Sequence, residues 1–231
     1  MLLKEGLEIC KSSLNLKFSE LFRDTYVDEA AILLDIRKNK GKTGQMLEKL
    51  CGLELSPSIT DFEDGELKTL KMGQIKKESS FNLTALNSWI DELLKEKILP
   101  FEDSRLHKKT DKFILMQVNK DDENPLNWFF RKCNLYDCSK GTPLFDKLKC
   151  DYEAISSELK KNLQSPNEVI HTTNGNKDSI IQIRTKGIGK GKDKSIYSNV
   201  FKREITKNRS VAFYMRRINF LKFNNESTGY E

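Results

Sequence analysis

The sequence predicts a mixed fold of the α/β or α+β class, built as one large domain or as two small lobes around a cleft. Segments with the helical spacing of apolar residues are interspersed with short alternating or continuously apolar segments, which are typical of strands. The chain has 231 residues, of which 37% are hydrophobic, and this is enough to form a core without disulfide bonds. We therefore expect a globular protein rather than a disordered one.

Helical spacing is clearest in four segments of the chain. Residues 15–36 predict one or two packed helices, and residues 44–52 predict a helix with Glu48 on or beside its inward face. Residues 87–98 begin with an asparagine that can cap a helix, and residues 143–164 form a long amphipathic pattern with a proline at its start. We expect helices at all four.

Six shorter segments predict strands. In chain order they are residues 65–73, 78–86, 113–118, 127–136, 178–186 and 210–218. The short segment "NKGKTG" at residues 39–44 predicts a loop, as does the stretch rich in glycine and lysine between the last two strands, over residues 187–209.

The sequence shows no sign of a membrane protein. No run of about 18 apolar residues occurs, and Lys4 and Glu5 interrupt any apolar start that a signal peptide would need. We therefore expect a cytoplasmic protein that contacts no membrane. The five cysteines are scattered without a C-x-x-C pair, which favours reduced buried thiols over a zinc site.

The net charge of +6 is unevenly distributed. Residues 184–222 contain twelve basic and two acidic residues, so this segment carries +10 and the rest of the chain carries −4. Such a basic segment is typical of a protein that binds the phosphate backbone of a nucleic acid. The alternative is ordinary solvated loop charge.

Two glycine-rich stretches resemble nucleotide-binding motifs but do not match them. "GKTG" at residues 41–44 would need another glycine five residues before Gly41, where the chain has Ile36. "KGIGKGK" at residues 186–192 lacks the spacing of G-x-G-x-x-G and is followed by charged residues. Neither a P-loop nor a dinucleotide site is expected.

Asp61, Glu66 and Lys68 form the pattern D-x4-E-x-K, which could hold a metal ion for phosphodiester hydrolysis. In a chain with 34 acidic and 40 basic residues this spacing arises about once by chance, so it decides nothing alone. On a strand, however, Glu66 and Lys68 would point to the same face. A nearby aspartate could share a Mg²⁺ ion with the glutamate, and the lysine could orient an attacking water.

Several motifs, taken in order from about residue 38 to residue 220, resemble the MutH family of endonucleases. This family includes the mismatch-repair nicking enzyme MutH and related type II restriction endonucleases that cut GATC. The motifs are "KGKTGQMLEKLCG", "DFEDGELKTL", "ESSF", "SRLHKKTDKFIL", "IIQIRTKG" and "AFYMRRINF".

The resemblance implies a PD-(D/E)XK restriction-endonuclease-like, MutH-like fold. Such a fold has a mixed sheet flanked by helices and two arms around a DNA cleft. Residues 1–231 would then form a single endonuclease domain, with a catalytic arm of about residues 15–120 and a DNA-recognition arm of about residues 121–225.

The resemblance also implies roles for individual residues of the catalytic arm. Glu48 matches the family's helix glutamate beside the metal site, Asp61 and Glu66 match the Mg²⁺-binding acids, and Lys68 matches the catalytic lysine. A further catalytic lysine, near the reactive phosphate, falls five residues after a serine in the family. Counting from the serine of "SRLHKK" gives Lys109, with Lys108 as the alternative.

In the recognition arm, Arg184 and Lys186 of "IRTK" match DNA-contacting positions of the family. Tyr214 matches the aromatic residue that lies against the target adenine and helps to sense its methylation. It and Phe213 are neighbours on a predicted strand, so one of the two faces the core. Two lysines of the following loop would also suit phosphate contacts, although a solvated loop is the alternative: Lys190 and Lys192.

The chain departs from the family in three places. Only four residues separate Asp61 from Glu66, fewer than in MutH, so the loop between them must be tighter. The family's R-P-K is R-T-K here, and the loop after it has no residue-level match. Because base edges would be read in that loop, the sequence does not give the recognition site.

The function predicted from the sequence is that of a type II restriction endonuclease making Mg²⁺-dependent cuts in double-stranded DNA, with GATC as the family's target. Abundant Lys, Asn and Ile suggest an AT-rich genome and favour restriction over repair. One alternative is a MutH-type nicking enzyme that acts at unmethylated sites with MutL. Another is a catalytically inactive DNA-binding module. A double-strand cut would need either a homodimer on DNA or two successive nicks.

Overall fold

A computed structural model describes residues 1–24, 42–54, 59–72, 80–187 and 195–228. The chain divides into two compact units, each formed by two separate stretches of sequence. The first unit contains Met1–Gln74 and Lys109–Asp137, and the second contains Ile75–Lys108 and Cys138–Glu231. The division into a catalytic and a recognition arm at residue 120 stays a prediction.

The described chain has the mixed α and β content that the sequence predicts. Its helices are α1 (Leu3–Ser12), α2 (Phe18–Leu21), α3 (Lys42–Leu50), α4 (Asp91–Leu94), α5 (Arg105–Thr110), α6 (Pro143–Leu163) and α7 (Arg217–Thr228). Its strands are β1 (Glu66–Lys71), β2 (Ser80–Ala85), β3 (Lys112–Asn119), β4 (Phe129–Asp137), β5 (Ile181–Gly187), β6 (Tyr197–Ser198), β7 (Arg203–Glu204) and β8 (Arg209–Arg216). Among the described residues, no helix has the length and apolar character to cross a membrane.

The first unit is built on a three-stranded mixed sheet in the order β1-β3-β4. β1 runs parallel to β3, and β3 runs antiparallel to β4. Residues 113–116 of the central strand are all buried, as expected for a strand covered on both faces. α3 packs on β1, and α1 packs on β3 and β4, so the predicted mixed sheet flanked by helices is confirmed. Met46, Leu47 and Phe130 lie in the core between them.

The second unit contains an antiparallel sheet in the order β2-β8-β5 and a small two-stranded sheet of β6 and β7. Ile183 of β5 and Phe213 of β8 are paired in register and buried on one face of the larger sheet. α6 packs against β5, and the rings of Tyr152 and Phe213 lie 6.2 Å apart. The opposite face of the sheet carries the partly exposed side chains of Arg184 and Tyr214.

α6 starts and ends close to the predicted bounds of residues 143–164. The Thr142 hydroxyl accepts a hydrogen bond from the backbone N–H of Phe145 at 3.2 Å, and Pro143 occupies the first helical position. Asp151 is fully buried on this helix. Its carboxylate accepts hydrogen bonds from the Ile180 backbone N–H at 2.7 Å and from the Lys147 ammonium at 3.0 Å. Asp151 therefore ties α6 to the residue before β5.

We expect Asp151→Ala to lower the free energy of unfolding by about 2 kcal/mol, because it leaves the buried Ile180 N–H without its acceptor. Urea titration measures the change. Asp178→Ala is the matched control, since Asp178 pairs with the same Lys147 ammonium at 3.0 Å but is 80% exposed. The control should lose less than about 0.5 kcal/mol. Equal losses in the two variants would contradict this role for Asp151.

Two predicted helices differ from the observed ones. The helix predicted over residues 87–98 is only the four-residue α4, because the Asn87 side chain accepts a hydrogen bond from the Val211 backbone N–H at 2.9 Å rather than capping a helix. At the other end the chain becomes extended at Lys95. Of the helices predicted over residues 15–36, the described part contains only α2, and residues 25–36 lie outside the described residues.

Other elements were not predicted from the sequence. The amphipathic α1 and the C-terminal α7 both carry many charged or polar residues, which weaken the apolar pattern. The predicted loop at residues 39–44 is wrong over its second half, because Lys42, Thr43 and Gly44 belong to α3. Residues 39–41 lie outside the described residues.

Candidate active site

β1 places Glu66 and Lys68 on one side of the strand. Leu67, between them, points the other way into the core and is 5% exposed. This alternation follows from the two-residue period of a β-strand. Local strand structure alone therefore brings Glu66 and Lys68 of the predicted constellation together.

The Glu66 carboxylate is 1% exposed and accepts hydrogen bonds from two ammonium groups. The Lys68 Nζ donates to Oε1. The Lys109 Nζ donates to Oε1 at 2.9 Å and to Oε2 at 2.8 Å. Lys109 lies in α5 just before β3, the parallel neighbour of β1, which explains how it reaches a residue 43 positions away. Lys108, the alternative from the sequence, is exposed.

A tight turn holds Asp61 beside the start of β1. The Phe62 backbone N–H donates to the Gly65 carbonyl at 2.9 Å, which closes the short connection to Glu66. The Asp61 Oδ2 accepts a hydrogen bond from the Leu67 backbone N–H at 2.9 Å. The short gap between the two acids thus corresponds to a compact turn whose geometry fixes the aspartate.

Glu48 approaches the same region from α3, which packs on β1 through Gly44. A Cβ atom added to Gly44 would lie 3.5 Å from the Thr69 hydroxyl and 3.9 Å from the Glu48 carboxylate. Burial raises the pKa of Glu48, and the negative charge of Asp61 adds to the increase. The helix glutamate, the aspartate and the strand residues are therefore within electrostatic range of one another.

Glu66 also has a raised pKa. Burial is the largest cause, and the charge of Asp61 adds to it, while the ammonium groups of Lys68 and Lys109 act in the opposite direction. Two lysines therefore do not fully compensate the cost of burying this carboxylate among other acids. A site of this kind favours the approach of a further cation.

The donor set suits a hard divalent cation such as Mg²⁺, because the three acidic side chains offer only carboxylate oxygens. Within the described ranges, however, no group of three or more His, Cys, Asp or Glu side chains is close enough to hold a metal ion. The raised pKa values of Glu48 and Glu66 are compatible with this spacing, because charges repel over longer distances than those between a metal ion and its ligands. Asp61 and Glu66 are the acids that would hold the cation.

The predicted DNA-contacting residues lie in the second unit. The Arg184 guanidinium lies over the Tyr214 ring, 5.5 Å from its centroid, and donates a hydrogen bond to the Ser80 hydroxyl at 2.8 Å. Tyr214 is half-buried, whereas Phe213 is buried on the opposite face. Lys186 is exposed. Two further predicted contacts lie outside the described residues: Lys190 and Lys192.

The sequence did not reveal which residues surround Tyr214. The strand register places Asn82 of β2 and Gln182 of β5 directly opposite it, on either side. The alternating pattern "SFNLTA" predicted a strand, but no signal in the sequence indicated that this strand pairs with β8. A polar row of Asn82, Tyr214 and Gln182 across the sheet is therefore known only from the structure.

Glu48→Gln should raise the unfolding temperature by roughly 1–3 °C near pH 8, because the variant removes a half-buried charge beside other carboxylates. The pKa of Glu48 is raised in the folded state, so its stabilising contribution is present below the unfolded-state pKa and lost as the pH rises through the folded-state pKa.

The advantage of the glutamine variant should therefore shrink as the pH falls through the raised folded-state pKa and should be lost below the ordinary pKa of glutamate. Thermal unfolding from pH 4 to pH 8 measures this, with Glu8→Gln, an exposed helix acid, as control. A pH-independent difference for Glu48→Gln would show that charge is not its cause.

The chain was compared with known proteins by sequence and by structure. No family model matches it, and no curated protein matches it. Among solved structures, the chain is similar to the restriction endonuclease MvaI in complex with its cognate DNA substrate. The TM-score is 0.41 with 12% sequence identity, over 96% of this chain and 94% of that one. These values are too low to establish a shared fold.

Proposed function

We propose that this chain is a Mg²⁺-dependent endonuclease that hydrolyses phosphodiester bonds of double-stranded DNA. The observation that carries the proposal is the arrangement around Glu66. This buried carboxylate receives hydrogen bonds from Lys68 and Lys109, and Asp61 is held beside it by the Leu67 backbone N–H. Paired acids next to lysines supply metal ligands and positive charge at one point, as phosphodiester hydrolysis requires.

In this proposal the two lysines act on the substrate. The Lys109 ammonium stabilises negative charge on the reactive phosphate, and the Lys68 ammonium orients the attacking water. Both ammonium groups donate to Glu66 in the free protein. When DNA binds, they leave Glu66, and Lys109 contacts the phosphate while Lys68 contacts the water. Asp61 and Glu66 would hold Mg²⁺, which when bound lowers the pKa of water and stabilises charge on phosphate. The Glu48 carboxylate adds negative charge near Asp61 and Glu66.

Within the nuclease class we propose a type II restriction endonuclease. The order of motifs that resembles the MutH family supports this choice, and GATC is the target that we would test first. The +10 segment at residues 184–222 supports DNA as the polyanionic substrate. Arg184, Lys186 and Tyr214 are the proposed contacts of the antiparallel sheet, and Lys190 and Lys192 those of the adjoining loop.

Incubating the purified protein with unmethylated plasmid, with and without Mg²⁺, tests the proposal. Discrete double-strand fragments that appear only with Mg²⁺, and whose ends map to one sequence, are the expected result. Slow nicks that accelerate on addition of MutL would support the repair enzyme instead. Tight DNA binding without cleavage under any divalent metal would contradict hydrolysis and favour an inactive binding module.

A further inference from the structure

Two amide side chains flank Tyr214 on the antiparallel sheet of the second unit. Asn82 of β2 and Gln182 of β5 are each paired in register with Tyr214 of β8, one on either side of it. Side chains of directly paired residues lie on the same face of a sheet, with Cβ atoms about 5 Å apart. The two amides and the tyrosine therefore form one polar row, on the face of the sheet that also carries Arg184.

The polar row faces away from the core. Phe81 and Leu83, on either side of Asn82, are buried, and the isoleucines on either side of Gln182 are fully buried. Because successive side chains of a strand point to opposite faces, Asn82 and Gln182 lie on the face that α6 does not cover.

Neither amide makes a hydrogen bond within the part of the chain that the structure describes. Asn82 is exposed, so water satisfies its amide. Gln182 is only 7% exposed, so water is largely excluded from a side chain that can both donate and accept hydrogen bonds. A polar side chain in this setting is stabilised by a ligand that completes its hydrogen bonds.

The surroundings of the polar row suit a polyanion. β2, β5 and β8 all lie within the described ranges and contain no aspartate or glutamate. Arg184 and Lys186 follow Gln182 on β5 at two-residue steps, so the three side chains lie on one face. Cations that contact phosphates, beside polar groups that contact base edges, are the usual division of roles in a protein–DNA interface.

The dimensions of the sheet favour the major groove of DNA. β2 and β5 lie on either side of β8, so their backbones are about 10 Å apart. The major groove is about 12 Å wide and the minor groove about 6 Å, so only the major groove can take the polar row. There, adenine presents the N7 acceptor and the N6 amino donor that match the amide of asparagine or glutamine.

We propose that Asn82 and Gln182 are specificity-determining residues that hydrogen-bond adenines of the DNA target in its major groove. Each amide nitrogen donates to an adenine N7, and each amide oxygen accepts from the N6 amino group. Because the two residues lie on either side of Tyr214, they contact different base pairs. This inference rests on the proposed function, of which it uses only the binding of double-stranded DNA.

Selection of binding sites from a library of short random duplexes tests the assignment. Binding is measured with Ca²⁺ and, separately, with EDTA, and the bound duplexes are sequenced. The unmodified protein should select a sequence with adenine at two or more base pairs. Asn82→Ala, and Gln182→Met, which keeps the volume of the buried side chain, should each lower the preference for adenine at one of them by about 5- to 150-fold.

Replacing one atom of the DNA tests the direct contact without relying on folded variants alone. The analogue 7-deazaadenine lacks the N7 acceptor, so placing it at a selected adenine should weaken binding by the unmodified protein. It should have no further effect on the variant that has lost the amide for that position. Equal sensitivity of the variant and the unmodified protein would overturn the readout.

Asn162→Ala is the matched control, because Asn162 is an exposed amide on α6, which packs against the other face of the sheet. It should select the same sequence as the unmodified protein. Thermal unfolding of each variant checks that the fold is kept. An unchanged selected sequence for folded Asn82→Ala and Gln182→Met would overturn the inference, as would a selected sequence without adenine in both buffers. An equal loss of affinity for all duplexes would also overturn it, since backbone contacts carry no sequence information.

The outcomes separate this inference from the proposed function. An unchanged selected sequence in the variants, together with Mg²⁺-dependent cleavage, would leave the nuclease proposal standing without this readout. Altered selection in a protein that never cleaves DNA would support the readout and contradict hydrolysis. Failure of the unmodified protein to bind any duplex would overturn both.

Discussion

Lys68→Ala and Lys109→Ala should each lower the rate of DNA cleavage by about 10²–10⁴-fold, the range expected when a positioned catalytic side chain is lost. Both ammonium groups donate to the buried Glu66 carboxylate and are themselves only 19% and 13% exposed. The two losses should not add in the double variant, because both groups act in the same hydrolysis step. Single-turnover plasmid cleavage measures the rates. Lys108→Ala, which changes an exposed neighbour of Lys109, should cleave normally.

Titration with Mg²⁺ separates two roles for these lysines. If they only neutralised Glu66, a higher Mg²⁺ concentration would replace their charge and restore cleavage in the single variants. If they act on the water and the phosphate, saturating Mg²⁺ leaves the rate low, and this is the expected result. Full rescue by Mg²⁺ would show that the lysines are structural counter-ions.

Gly65→Val should lower the free energy of unfolding by about 2–3 kcal/mol and also abolish most cleavage. A Cβ atom at Gly65 would lie 2.8 Å from the Lys112 carbonyl oxygen and 2.9 Å from both methyl groups of Leu3. The backbone oxygen cannot move without shifting β3, so the turn before Glu66 must move instead. Such a shift would misplace Asp61 and Glu66 together.

Gly44→Ala is the control for this effect. It lies within α3, where an added Cβ makes an ordinary contact of 3.5 Å with Thr69 and alanine favours the helix by about 1 kcal/mol. Urea titration and plasmid cleavage on both variants make the comparison. If Gly65→Val were as stable and active as Gly44→Ala, the close approach at the turn would not matter for the site.

Features that depend on local spacing could be predicted from the sequence. The two-residue period of a strand put Glu66 and Lys68 on one face. The amphipathic pattern and the proline at the start of α6 located a helix that is observed almost at its predicted bounds. The helix carrying Glu48 was also predicted, although it begins slightly earlier than expected. Local prediction was wrong for residues 87–98, because Asn87 bonds to a distant strand instead of capping a helix.

The sequence by itself determined the strand that carries Glu66 and Lys68, the long helix α6 and the uneven charge, because each depends on residues near one another in the chain. Only the tertiary structure decided that Lys109 contacts Glu66 and that Arg184 lies over Tyr214. These pairs depend on strand register and on parallel pairing between distant segments. A motif such as D-x4-E-x-K is expected about once by chance, so it indicates a functional site only where long-range packing brings further residues to it.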